Sequence, residues 1–91
     1  MNNFEHENGT FYFNYEGKRV GELHYTMAGE NKMIIDHTEV DESMEGKGIG
    51  KLLLEDVIDY VREKNIKVIP RCTFASASFR KHPEWQDVLY K

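Results

Sequence analysis

The residues best suited to chemistry fall in three short stretches. In MEGKGIGK, Gly46, Gly48 and Gly50 alternate with Lys47, Ile49 and Lys51. Glycine is entropically costly inside regular structure, so three at this spacing imply a role for the bare backbone. An anion can approach such a main chain closely, and the two lysines add positive charge. Cys72, the one cysteine, stands in PRCTF directly before a helical stretch. A helix N-terminus lowers a thiol pKa, which makes Cys72 a candidate nucleophile or acid; its other reading is a small buried apolar residue. His37 and Glu39 lie two apart in MIIDHTEV and so share one face of a strand, with Asp36 and Thr38 on the other. They form the best acid–base pair in the chain, with His37 or Glu39 as base, or else His37 is a hydrogen-bonded structural residue. The spacing of the four histidines and one cysteine matches no zinc motif, so no metal is expected.

These residues need particular elements around them. Phe11, Phe13 and Tyr15 alternate with Tyr12 and Asn14, the period of a strand. EGKR is a turn, a second strand runs through VGELHY, AGENK turns again, and MIIDHTEV is a third strand. MNNFEHEN ahead of them reads as a loose, polar start. After the glycine loop, Leu54, Val57, Ile58 and Val61 recur at helical spacing, with Glu55, Asp59, Arg62 and Glu63 on the other side. Lys64 suits the last turn and Asn65 a left-handed cap. IKVIP is a short strand, parallel to the third because a helix separates the two. TFASASFRKH is a second, shorter helix stopped by Pro83, and EWQDVLYK adds a turn and an edge strand with Trp85 and Tyr90 paired. The expected architecture is mixed α+β: an antiparallel three-stranded meander, then helix, parallel strand and short helix, as one domain over residues 1–91.

A glycine loop between a strand and a helix presents unpaired N–H groups at the positive end of the dipole, a site for phosphate. Two familiar phosphate loops do not fit. A nucleoside-triphosphate loop needs a hydroxyl after Gly50-Lys51, where Leu52 stands, and a glycine at Glu45. A dinucleotide fingerprint needs glycine at Lys51.

The loop, in order with IDHTEV before it and KVIPRCTFA and KHPEWQDV after it, resembles the Gcn5-related N-acetyltransferases, and within them a very small subfamily. The resemblance covers roughly residues 10 to 90. It implies acetyl-CoA as cofactor, with the pyrophosphate held by Glu45, Gly46, Lys47, Gly48, Ile49, Gly50 and Lys51. Glu45 stands where that family prefers Gln or Arg; its charge is expected to repel the pyrophosphate unless the side chain turns outward and the backbone N–H binds, and so to weaken affinity without abolishing it, because most of the cradle is main chain. The resemblance also places the pantetheine along residues 38 to 40, Val40 included, opposite PRCTF. Phe74, Ser76 and Phe79 of the short helix then flank the cofactor, although Phe74 and Phe79 also read as core. Cys72, His37 and Glu39 become the catalytic candidates: an acetyl-cysteine nucleophile or an acid for the leaving thiolate, and a base for the amine. The acceptor amine is not specified, and a non-catalytic coenzyme A-binding or sensing module is the other reading.

Bulk composition sets outer bounds. A net charge of −4 with dispersed lysines and arginines argues against a sequence-independent nucleic-acid binder. No apolar run approaches the roughly 20 residues needed to span a bilayer. One cysteine excludes an internal disulfide, and the chain reads as a protein of a reducing cytoplasm.

Overall fold

The computed structural model describes residues 3–90. Strands β1 (Phe4–Glu7), β2 (Thr10–Tyr15), β3 (Lys18–Met27) and β4 (Lys32–Val40) form an antiparallel meander. After a 3-10 turn (Glu42–Met44), helix α1 (Ile49–Lys64) leads back to β5 (Lys67–Pro70), which pairs in parallel with β4. Helix α2 (Thr73–Lys81) and a 3-10 segment (Pro83–Val88) follow. The sheet order is β1-β2-β3-β4-β5.

Helix α1 forms where the apolar spacing requires it. Ile49, Leu53, Leu54, Val57, Ile58 and Val61 are all buried. Each contributes about 1.5–3 kcal/mol by leaving water. The helix stops at Asn65, whose left-handed backbone (φ 59°, ψ 43°) returns its N–H to the carbonyls of Val61 and Arg62. Both helices share a single buried cluster with Phe11, Leu23, Met33, Ile35 and Val68 of the sheet. On the far side of the sheet Glu22, His24, Asp36, His37 and Glu39 are half-buried or exposed. Among the described residues, no helix is long and apolar enough to cross a membrane.

Three expectations need correction. Within the polar start, Phe4–Glu7 form a fourth meander strand through their pairing with β2, while residues 1–2 lie outside the described residues. Phe4 packs edge-on against Phe13 at 5.1 Å and His6 stacks on Phe11 at 3.9 Å, while Glu5 and Glu7 reach Arg19 on the other face at 3.6 and 3.7 Å. Composition concealed this, since two of its four residues are acidic. The tail forms a 3-10 segment with a single bridge from Leu89 to Val68. Trp85 packs on His82 (4.2 Å) and Phe79 (5.5 Å), whereas Tyr90 receives the ammonium of Lys32. Arg62 holds the segment through two 2.9 Å bonds to Asp87 and one to the Glu84 carbonyl. The third correction concerns β4: His24 pairs with His37 but Tyr25 pairs with Ile35, so Asp36 is an extra, bulged residue. The bulge breaks strict alternation. Asp36 accepts from Thr26 at 2.8 Å, away from Thr38, which pairs opposite the buried Leu23.

His6 gives β1 a pH dependence. Burial, only partly offset by Asp56, lowers its pKa below the usual 6.5. Between the lowered and the ordinary value the unfolded chain binds a proton that the folded chain does not, so stability falls as pH drops through this window. Urea midpoints are therefore expected to decrease from pH 7.5 to pH 6, with a smaller decrease in His6→Phe. Equal decreases in the two proteins would remove His6 as the cause.

Candidate active site

The site begins where two strands part. The parallel ladder ends at Ile35 opposite Pro70, and the Ile35 carbonyl accepts the N–H of both Arg71 (3.1 Å) and Cys72 (3.2 Å). Beyond this point β5 turns into α2 while β4 continues to Val40 alone on that side. Asp41 donates its N–H to Val20 of β3 at 2.8 Å, which fixes the alternation. Thr38 and Val40 consequently turn their N–H and C=O groups away from β3 into the gap. Sheet edges of this kind are sites of main-chain pairing.

The glycine loop closes one end of the gap. Asp41 initiates it, accepting from the Ser43 N–H (3.0 Å) and hydroxyl (2.7 Å), with Lys18 at 3.6 Å. These hydrogen bonds, and then Lys18, hold the Asp41 carboxyl below the usual range. Glu45 donates its N–H to the Glu42 carbonyl (3.2 Å), and Lys47 to that of Met44 (3.3 Å). Of the two arrangements open to Glu45, the one that uses its N–H as an anion donor is not seen: that N–H is spent within the turn. Gly48 is the helix N-cap, at φ 77° and ψ 20°, and the first intrahelical bond runs from Leu52 N–H to its carbonyl at 3.0 Å. No side chain caps this end and no acidic residue lies in the first turn. The N–H groups of Ile49, Gly50 and Lys51 are left to an outside acceptor.

These pieces line one cleft of about 380 Å³: Thr38 and Val40 from β4, Met44, Glu45, Gly46 and Gly48 from the loop, and Ile49, Gly50, Lys51 and Phe74 from the two helices. Phe74 is 41% exposed, so its reading as core gives way to that of a cleft wall. Its ring lies where a Cβ on Gly50 would approach to 2.8 Å, which is why residue 50 has none. Lys47 is exposed in the same loop without lining the cleft. Ser76 and Phe79 do not line it either. Ser76 accepts from Arg80 at 3.1 Å, and Phe79 is 2% exposed in the core.

A second hollow, of about 570 Å³, lies across β4 and is lined by Arg19, Glu22, Glu39 and Asp41 among others. Thr38, Val40 and Glu45 line both hollows, so the strand is their common wall. His37 and Glu39 come together as expected, 3.0 Å apart. The hydrogen bond from His37, reinforced by its charge, holds the Glu39 carboxyl below the usual range. Cys72 is half-buried at the N-cap of α2 with Sγ 3.7 Å from Thr38 Oγ1. No hydrogen bond or ion pair joins Cys72 to a histidine or carboxylate among the described residues. The structure thus places the thiol and the His37–Glu39 pair apart, with Thr38 the residue that meets the thiol. Sequence spacing could not reveal Thr38 in this part, because the bulge at Asp36 sets its face.

A sheet that opens between its fourth and fifth strands, above an uncapped glycine-rich helix start, defines a class of acyltransferase architecture. A family model described as GCN5-related N-acetyl-transferase matches residues 10–88, and the chain belongs to that family. Protein NATD1 of Homo sapiens is 27% identical over 78 residues, covering 86% of this chain and 58% of its own; the Gallus gallus counterpart is equally identical, with 60% of its length covered. The chain thus spans about three fifths of the curated relatives it matches. The solution structure of a GCN5-like protein of Staphylococcus aureus superimposes with a TM-score of 0.79 at 34% identity, covering 99% of this chain and 91% of that one. An acetyltransferase of Elizabethkingia anophelis with acetyl-CoA bound shares the fold at a TM-score of 0.65 and 19% identity, covering 81% of this chain and 51% of that one.

The Gly48 conformation supplies a structural check. Gly48→Ala puts a Cβ at φ 77°, which costs about 1–2 kcal/mol. Chemical denaturation is expected to show that loss for Gly48→Ala and next to none for Lys47→Ala. A Gly48→Ala protein as stable as its parent would contradict the left-handed cap.

Proposed function

We propose that this chain, acting as one domain, binds acetyl-CoA and transfers its acetyl group to an amine. The observation that carries the proposal is a pair of adjoining hollows: the cleft at the uncapped start of α1 meets, along Thr38, Val40 and Glu45, a hollow lined by Glu39, the partner of His37. The pyrophosphate is assigned to the N–H groups of Ile49, Gly50 and Lys51, with Gly46 and Gly48 leaving room and Lys47 and Lys51 adding charge. The pantetheine pairs with the open edge at Thr38 and Val40, and Phe74 covers it. Acetyl-CoA supplies an activated carbonyl.

The roles of the side chains follow from the two sides of β4. The amine enters from the 570 Å³ hollow and reaches the thioester past Thr38, Val40 and Glu45, which line both hollows; its lone pair attacks the thioester carbon as His37, held by Glu39 of the hollow wall, takes the proton. Glu39, with its lowered pKa, is the weaker base and the better partner for an imidazole. A backbone N–H of β4 receives the developing oxyanion. The C–N bond forms first; the C–S bond then breaks as the carbonyl re-forms, and the Cys72 thiol gives its own proton to the departing thiolate. This direct transfer suits the geometry better than an acetyl-cysteine, which needs a base beside the thiol. The non-catalytic reading draws on Glu45, an acidic residue on the cleft wall whose N–H is already used.

Acetyl-CoA titrated into labelled protein is expected to move the amides of residues 38, 40 and 48–51. Thiol release with a panel of primary amines then reports transfer, and His37→Gln is expected to lower it about 100-fold with the amide shifts retained. Absent shifts at millimolar acetyl-CoA would sink the cofactor assignment. Intact shifts with no thiol release for any amine would favour the binding module.

A further inference from the structure

The bare face of the sheet carries a second cluster that sequence spacing conceals. Two cross-strand pairs lie side by side there: Glu22 opposite Glu39 and His24 opposite His37. The two imidazoles stack with centroids 6.1 Å apart and planes 25° from parallel. His24 Nε2 is 3.8 Å from Glu22 Oε2, and His37 Nε2 is 3.0 Å from Glu39 Oε1. Like charges placed directly opposite across a sheet destabilise it, so Glu22 facing Glu39 favours positive charge between them, beyond what each draws from its histidine. No lysine or arginine forms an ion pair with either among the described residues.

We propose that Glu22, His24 and Glu39 bind a divalent transition-metal ion, zinc above all, with His37 as the outer partner of Glu39. One donor atom from each of the three ligands already lies within 4.8 Å of the other two. Tetrahedral zinc places such donors about 3.3 Å apart, given bonds of about 2.0–2.1 Å. Closing the remaining gap of up to about 1.5 Å takes only rotamer adjustment, because all three side chains reach solvent. The donor set of one imidazole nitrogen and two carboxylate oxygens leaves a fourth position for water or an incoming group.

The surrounding contacts are those a metal site uses. The hydroxyl of Thr10, a residue 9% exposed, is 3.2 Å from His24 Nδ1. Thr10 can accept the Nδ1 proton, and in that tautomer the Nε2 lone pair faces Glu22, as a ligand to a shared cation would. His37, protonated at Nε2, donates to Glu39 in the same way that outer residues orient ligating carboxylates. Glu22 and Glu39 also line the 570 Å³ hollow, so the ion would stand beside the amine's proposed path and occupy Glu39. The ligand set itself stands independently of acetyl transfer.

The test uses the full chain without acetyl-CoA. Zinc chloride is titrated at neutral pH while imidazole resonances and calorimetric heat are followed. The expected result is one ion per chain, with the His24 and His37 signals moving together. His24→Gln and Glu22→Gln are expected to abolish this binding, Thr10→Val to weaken it about 10-fold, and His82→Ala to leave it unchanged. An unmoved His24 signal at excess zinc, or unaltered binding in both His24→Gln and Glu22→Gln, would overturn the site. Because the readout is metal binding in the absence of cofactor, its failure is separate from any failure of acetyl transfer.

Discussion

The structure depends on one carbonyl. By accepting two successive N–H groups, from Arg71 and Cys72, Ile35 ends the β4–β5 ladder while β4 still has five residues to run. A parallel pair extended to Val40 would satisfy the edge at Thr38 and Val40 and leave no gap. The bulge at Asp36 falls one residue later and turns Thr38 towards the buried face, where it meets Cys72. Strand parting, bulge and thiol contact therefore lie within one short stretch, and the glycine loop closes it from the far end.

The same stretch explains how the chain uses one layer of helices. Both helices bury their apolar sides with the core face of the sheet, leaving the other face to Glu22, His24, His37 and Glu39. A face without helices over it stays accessible to an acceptor or an ion, and its polar side chains need no buried partners. Glu39 belongs to both arrangements, as partner of His37 and as a wall of the larger hollow.

Much of this was legible in the sequence wherever local spacing decides structure. The stripe Leu54, Val57, Ile58 and Val61, the Asn65 cap, the parallel β5 and the order of the glycine loop all follow from local pattern. Features set by partners distant in the chain did not show. β1 is polar in composition, and only the registry of Phe4 and His6 on Phe13 and Phe11 makes it a strand. Asp36 bulges because of its pairing with β3, which no period-two reading contains. Phe79 proved to be core and Phe74 a cleft wall, although both are phenylalanines on one short helix. Their difference lies in what each meets: Trp85 in one case, the bare Cα of Gly50 in the other.

The central claim is that the thioester lies in the gap beside β4, against Thr38 and Cys72. Intermolecular nuclear Overhauser effects from the acetyl methyl of acetyl-CoA test it most directly. The account predicts contacts from that methyl to the Thr38 side chain and the Cys72 β-protons, with none to His6 on the distant edge strand or to Tyr60 of α1, which packs on it. An acetyl methyl that contacts neither Thr38 nor Cys72 in a saturated complex would contradict it.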